Sequence, residues 1–239
     1  MNLKVFQDII LFDNSKLLNS RLKMTKNKII LFDLDGTLID STEAVYEGFC
    51  EAFKHHNKEI PHKESVSTLI GHTLEDMFHS LGIPKNECEK YINIYKEHYR
   101  KICNKKTTLL KNAKESILKA DEFAYLGIVT TKTGLYSKAL LEHFNVLQYF
   151  QCVIGRENVT YAKPDKEPIL KALESFPKNI AKQDTFMIGD TPLDILAANN
   201  AEIKSFGVLS GYSSLELLQK YTNNLAKDSL DAVCKIQHL

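Results

Sequence analysis

Seven residues of this sequence could act together, and their functional groups are carboxylates, hydroxyls and one amine: Asp33, Asp35, Thr130, Thr131, Lys163, Asp190 and Asp194. They fall in four short polar stretches, three of which directly follow an apolar run. Carboxylates brought to one place repel unless a cation joins them. Oxygen ligands without a His/Cys cluster favour Mg2+ over zinc. Loop hydroxyls, backbone amides and a lysine suit a phosphate group. A metal, a phosphate and a free carboxylate together point to phosphoryl transfer.

The elements that must position these groups can be read from the apolar runs. Ile29-Ile30-Leu31-Phe32 is continuous, ends in acidic residues and Gly36, and predicts a buried strand stopping at a polar loop. Runs over 124–129, 152–154, 186–188 and 206–209 have the same form. Helical spacing separates them: Leu135, Ala139, Leu140 and Phe144; then Ile169, Leu170 and Leu173; then Ile195 and Ala198. Alternating strands and helices predict a mostly parallel sheet, whose strand ends bind ligand at their carboxyl side. From about Thr42 to Lys106 the pattern is helical only. Asp40 with Glu43 predicts a capping box, Thr73 with Asp76 a second cap, and Pro84 the opening of a third helix.

Four motifs in this order resemble the haloacid dehalogenase superfamily: Asp33-Leu34-Asp35-Gly36-Thr37, Ile128-Val129-Thr130-Thr131-Lys132, Lys163-Pro164-Asp165 and Ile188-Gly189-Asp190-Thr191-Pro192-Leu193-Asp194. The resemblance covers about Lys28 to the C-terminus. It implies an α/β, Rossmann-like parallel sheet core with helices on both faces, plus a small all-helical cap domain. The expected division is an extension over 1–27, a core over 28–41 and 107–239, and the cap over 42–106.

The resemblance also implies roles. Asp33 would be the nucleophile, forming an aspartyl phosphate, and Asp35 the general acid/base. Mg2+ would be held by the Asp33 carboxylate, the Asp35 backbone carbonyl and Asp190, with Asp194 as an indirect ligand. Thr130, Thr131 and Lys163 would hold the phosphoryl group. Lys132 reads as an exposed lysine without a catalytic role.

A helical insert between the first two motifs is similar to the group containing phosphoglycolate phosphatase, its related pyrophosphatase and β-phosphoglucomutase. Thr37 and Gly189 favour the phosphatases over the mutases, which commonly carry an aliphatic residue and a glutamate there. The expected activity is Mg2+-dependent hydrolysis of a small phosphorylated metabolite. The alternatives are a mutase-like transfer, a pyrophosphatase, or a non-catalytic binding protein. His72 and Thr73, in the insert, are the expected substrate contacts. Three positions depart from the family's pattern: Thr131 for asparagine, Lys166 for proline, and Glu202 where a helix-ending glycine is common.

Composition bounds the partners. Over 239 residues the net charge is +1, which gives no electrostatic reason to expect nucleic acid or an anionic membrane. The cysteines, five in number and with no Cys-x-x-Cys pair, argue against a disulfide framework and for a reducing cytoplasm. No apolar stretch reaches the ~18 residues of a membrane span. A monomer or homodimer is expected. Near the start, Ile9-Ile10-Leu11-Phe12-Asp13 copies the run ending at Asp33 but lacks the second aspartate and glycine.

Overall fold

The computed structural model describes residues 26–239. The Ile9–Asp13 copy and almost all of the expected extension lie outside these residues. Lys26 and Asn27, assigned to that extension, already touch the core: Lys26 pairs with Asp121, and Asn27 N donates to Phe123 O at 3.2 Å.

Six strands form one sheet: β1 (Lys28–Phe32), β4 (Ala124–Val129), β5 (Phe150–Ile154), β6 (Thr185–Gly189), β7 (Lys204–Val208) and β8 (Leu225–Ala226), in the order β5-β4-β1-β6-β7-β8. Every neighbouring pair is parallel. β1 is central, and all its residues are buried. Its side chains alternate between two apolar layers. Ile30 and Phe32 pack with Leu126, Ile128 and Ile188 on one face; Ile29 and Leu31 pack with Val129, Met187 and Ile169 on the other. A strand buried on both faces needs a continuous apolar run, which explains the pattern seen in the sequence. Each such side chain contributes about 1.5–3 kcal/mol by burial.

Helices cover both faces. α5 (Ala113–Asp121) and α10 (Ser229–Gln237) pack together, α7 (Glu167–Leu173) lies on β4 and β5, and α8 (Pro192–Asn200) lies on β6 and β7. α6 (Gly134–His143) follows β4, and α9 (Leu215–Leu218) lies between β7 and β8. Leu135 on α6 is 68% exposed, so only part of that apolar spacing faces the core.

Between β1 and β4 the chain makes four helices: α1 (Thr42–His55), α2 (Lys63–Ser67), α3 (Leu74–Ser80) and α4 (Lys85–Lys106). An aromatic cluster joins them. Phe49 stacks on Phe78 with centroids 4.3 Å apart, and Phe53 meets Tyr91 edge-on at 5.6 Å. The chain enters and leaves this insert through a two-stranded antiparallel pair, β2 (Ile39–Asp40) with β3 (Thr108–Leu109).

The expected Asp40–Glu43 capping box does not form. α1 begins after Ser41; the Asp40 carboxylate accepts from Thr42 N at 2.9 Å, and Glu43 pairs with Lys106 at 2.6 Å. An Asx turn and a lysine across the helix pair outcompete the local cap. The short elements β2, β3, β8 and α2 are not foreshadowed by the sequence pattern, because two to five residues carry no readable period. β5 begins two residues earlier than its apolar run, since Gln151 at this sheet edge is exposed. Glu202 does adopt a left-handed backbone, φ 61°.

Candidate active site

Sheet register builds the site. Phe32 is paired with Ile128 on one side and Ile188 on the other. The next residues of these strands therefore emerge together. Asp33 N donates to Ile188 O at 2.8 Å, and Thr130 N donates to Ile154 O at 3.0 Å. Asp33, Thr130 and Asp190 consequently line one carboxyl edge, at the point where strand order reverses around β1.

Lys163 comes from the loop between β5 and α7. Its ammonium donates to Asp33 Oδ1 at 2.7 Å, to Val129 O at 3.1 Å and to Asp194 Oδ1. Asp194 sits in the first turn of α8, where its other oxygen accepts from Thr191 N at 3.0 Å and Thr191 Oγ1 at 2.7 Å. Asp190 accepts from Thr37 Oγ1 at 3.2 Å and from Tyr212 N at 2.9 Å. Two glycines make room for it. A Cβ on Gly36 would lie 2.3 Å from Asp190 Oδ2, and one on Gly211 would lie 2.1 Å away. Gly36 also needs its positive φ of 79° to make the turn.

Asp33, Asp190 and Asp194 place carboxylate oxygens within 4.8 Å of one another, all buried. Against these three carboxylates the cluster holds one ammonium, that of Lys163. Burial pushes the Asp33 carboxyl up to about 7, although Lys163 opposes it. Burial, followed by repulsion from Asp33 and Asp194, pushes Asp190 well above the usual carboxylate range. Burial works against the Lys163 ammonium too, but its two aspartates outweigh it and raise its pKa. An excess of buried, oxygen-only anions is what a hard divalent cation such as Mg2+ binds. The residues present fit such an ion, with Asp33 and Asp190 as direct candidates and Asp194 already engaged by Lys163 and Thr191.

Asp35 stands outside this cluster and faces the insert. Ser41 Oγ donates to its Oδ1, and Lys132 Nζ lies 3.1 Å from its Oδ2. Lys132 is not the exposed lysine its sequence context suggests: its side chain is 9% exposed and lies 4.8 Å from the Tyr99 ring centroid. Burial, the largest single influence, would lower its pKa, but Asp35 together with Tyr99 and Tyr95 more than offsets it and keeps it charged.

The remaining predicted residues divide by function. The Thr130 hydroxyl accepts from Lys132 N at 3.2 Å, on the site's floor. The Thr131 hydroxyl donates to Gly71 O of the insert at 2.8 Å. The Thr73 hydroxyl caps α3, accepting from Asp76 N at 3.2 Å and donating to Asp76 Oδ2 at 2.6 Å. His72 is exposed at the rim of a cavity of about 40 Å³ that also touches Asp35, Thr131, Lys132 and Tyr99. The sequence pattern does not single out Lys132, Ser41 or Tyr99 as site residues. The signal it holds is weak: Lys132 follows Thr130 by two positions, and Tyr99 shares a helical stripe with Tyr91 and Tyr95.

Known proteins resemble the chain in sequence and in fold. A pyrophosphatase PpaX of Anoxybacillus flavithermus is 30% identical, over 87% of this chain and 95% of its own. A phosphoglycolate phosphatase of Colwellia psychrerythraea is 26% identical, over 84% and 92%. The fold matches a haloacid dehalogenase-like family hydrolase of Streptococcus pneumoniae with a TM-score of 0.78, at 24% identity over 88% and 98% of the two chains. Residues 30–208, which carry all four motifs and the insert between the first two, match the family described as haloacid dehalogenase-like hydrolase. With buried aspartates and a lysine gathered at the switch point of a parallel sheet, and with relatives named as phosphatases, the chain belongs to the haloacid dehalogenase-like hydrolases.

Proposed function

We propose that this protein is a Mg2+-dependent phosphatase acting on a small phosphorylated metabolite. The observation that carries this reading is the buried cluster of Asp33, Lys163, Asp190 and Asp194, with Asp35 beside it but held separately. One carboxylate is placed to attack, and a second has its own environment from which to move a proton.

Asp33 attacks phosphorus through a carboxylate oxygen. The ester P–O bond breaks, and the departing oxygen takes a proton from Asp35, leaving an aspartyl phosphate. Asp35 then takes a proton from water, whose oxygen attacks the same phosphorus. The acyl phosphate bond breaks, freeing Asp33 and inorganic phosphate. Lys163 balances negative charge on Asp33 and the transferring group. The Thr130 hydroxyl and the backbone at Thr131 hold phosphoryl oxygens, since the Thr131 hydroxyl is already given to Gly71. A bound Mg2+ would neutralise the charge that Asp33, Asp190 and the phosphoryl oxygens bring together.

The insert over 42–106 acts as a cap, with the core over 28–41 and 107–239. Substrate choice falls to the cap seam, where His72 borders the cavity; Thr73 supports that loop through its helix cap. Phosphoglycolate and pyrophosphate, the substrates in the relatives' names, are the leading candidates. The balanced charge and cysteine usage fit a cytoplasmic protein. Among the described residues no helix is long and apolar enough to cross a membrane.

Asp33→Asn tests the mechanism. Phosphate release from p-nitrophenyl phosphate with Mg2+ should fall by about 10⁴-fold or more, while the circular dichroism spectrum stays that of the parent. Turnover within tenfold of the parent would end the nucleophile reading.

A further inference from the structure

The Lys132 side of the site is built beyond what phosphoryl transfer requires. The Tyr99 phenol is buried, 1% exposed; its oxygen makes no hydrogen bond of ordinary geometry, and Lys132 is its polar neighbour. Buried hydroxyls are normally satisfied, so one left open beside a cavity marks a place that something polar completes. Lys132 lies over the Tyr99 ring and has one carboxylate neighbour, Asp35, although an ammonium carries three donors. Both residues line the same cavity of about 40 Å³, together with Asp35, His72, Thr131 and Thr133 and with apolar groups such as Leu74 and Met77. That volume is roughly the space of one to three waters, enough for a terminal carboxylate or phosphate oxygen but not for a sugar.

We propose that Lys132 and Tyr99 form a subsite for an oxyanion carried by the leaving group, so that the preferred substrates hold a second negative charge close to the scissile oxygen. This rests on the reading of Asp35 as the proton donor. The leaving oxygen must then lie against Asp35, and what it carries extends toward the only cation paired with that carboxylate among the described residues. Lys132 comes from the core and Tyr99 from α4 of the insert, so the oxyanion is recognised only where the two meet. A charged donor and a desolvated phenol together favour an anion strongly over a neutral hydroxyl. Lys132 and Tyr99 are thus specificity residues, distinct from Lys163 on the phosphoryl side.

The test compares three substrates with Mg2+ present: phosphoglycolate, pyrophosphate and 2-hydroxyethyl phosphate, the last a neutral-tailed analogue of the first. In the parent, kcat/KM for phosphoglycolate or pyrophosphate should exceed that for 2-hydroxyethyl phosphate by about tenfold or more. Which of the two leads identifies the oxyanion as carboxylate or phosphate. Lys132→Met should collapse that preference toward one, and Tyr99→Phe, which deletes only the phenol oxygen, should reduce it severalfold. Should Lys132→Met fail to fold, Tyr99→Phe decides. A preference unchanged in the variants, or a parent that favours the neutral ester, overturns the subsite. Release of phosphate from p-nitrophenyl phosphate but from neither anionic substrate also overturns it, while leaving the phosphatase reading standing. No release from any substrate removes that reading and the subsite with it.

Discussion

Two lysines serve this site in different ways. Lys163 is saturated by the core alone, with Asp33, Asp194 and Val129 O around its ammonium. Lys132 has one core carboxylate and the face of an insert tyrosine. The first arrangement is closed, and suits a group that must hold one geometry throughout a reaction. The second is open, spans the seam between sheet and insert, and leaves donors to spare. On the proposed reading, the charge that must be fixed lies wholly in the core, and the charge that discriminates is divided between core and insert.

That contrast can be broken most directly by removing each cation. Lys163→Met leaves Asp33 and Asp194 buried without a counterion. It should cost about 3–5 kcal/mol of stability in metal-free protein and about 10²–10³-fold in phosphate release. Lys132→Met leaves Asp35 with Ser41 and should cost about 1–3 kcal/mol. Urea unfolding in chelator measures both; equal losses would dissolve the distinction.

The metal sharpens the same comparison. Asp33 titrates near 7 in the folded metal-free protein against 3.8 in an unfolded chain. The folded state therefore holds the extra proton between these values, and its stability falls as pH rises through that window. Mg2+ competes with that proton. The rise in Tm on adding Mg2+ should be larger at pH 8 than at pH 6, by several degrees. Activity should vanish in EDTA and return with Mg2+. A Tm gain independent of pH would place the ion away from Asp33.

Thr131→Val gives the smallest expected effect. It removes the hydroxyl bond to Gly71 O and loosens only the seam. Stability should fall by about 1 kcal/mol, and KM should rise more than kcat falls. A loss confined to kcat would tie Thr131 to the chemistry instead.

Much of this architecture is legible in the amino-acid sequence alone. β1 sits at the centre of a parallel sheet and is buried on both faces, so its sequence has to be an unbroken apolar run. A helix-only stretch from Thr42 to Lys106 stands out because no such run interrupts it, and α4 does end at Lys106. The residues following the strands are therefore readable as a convergent set. Lys132 is not, because its burial depends on Tyr99, far along the chain, and nothing local reports a long-range contact. Ser41 and Tyr212 are hidden for the same reason, one donating to Asp35 and the other through its backbone to Asp190. Glu202 is readable in kind: the backbone keeps its left-handed turn without the glycine, a strain of about 1 kcal/mol.

The β2–β3 pair has an evolutionary consequence. The chain leaves the sheet and returns to it at adjacent points, with Ile39 opposite Leu109 and Asp40 opposite Thr108. Whatever is spliced between those two short strands inherits the same doorway onto Asp33. The inserted helices can thus be exchanged or rebuilt without moving the carboxylates gathered at the sheet edge.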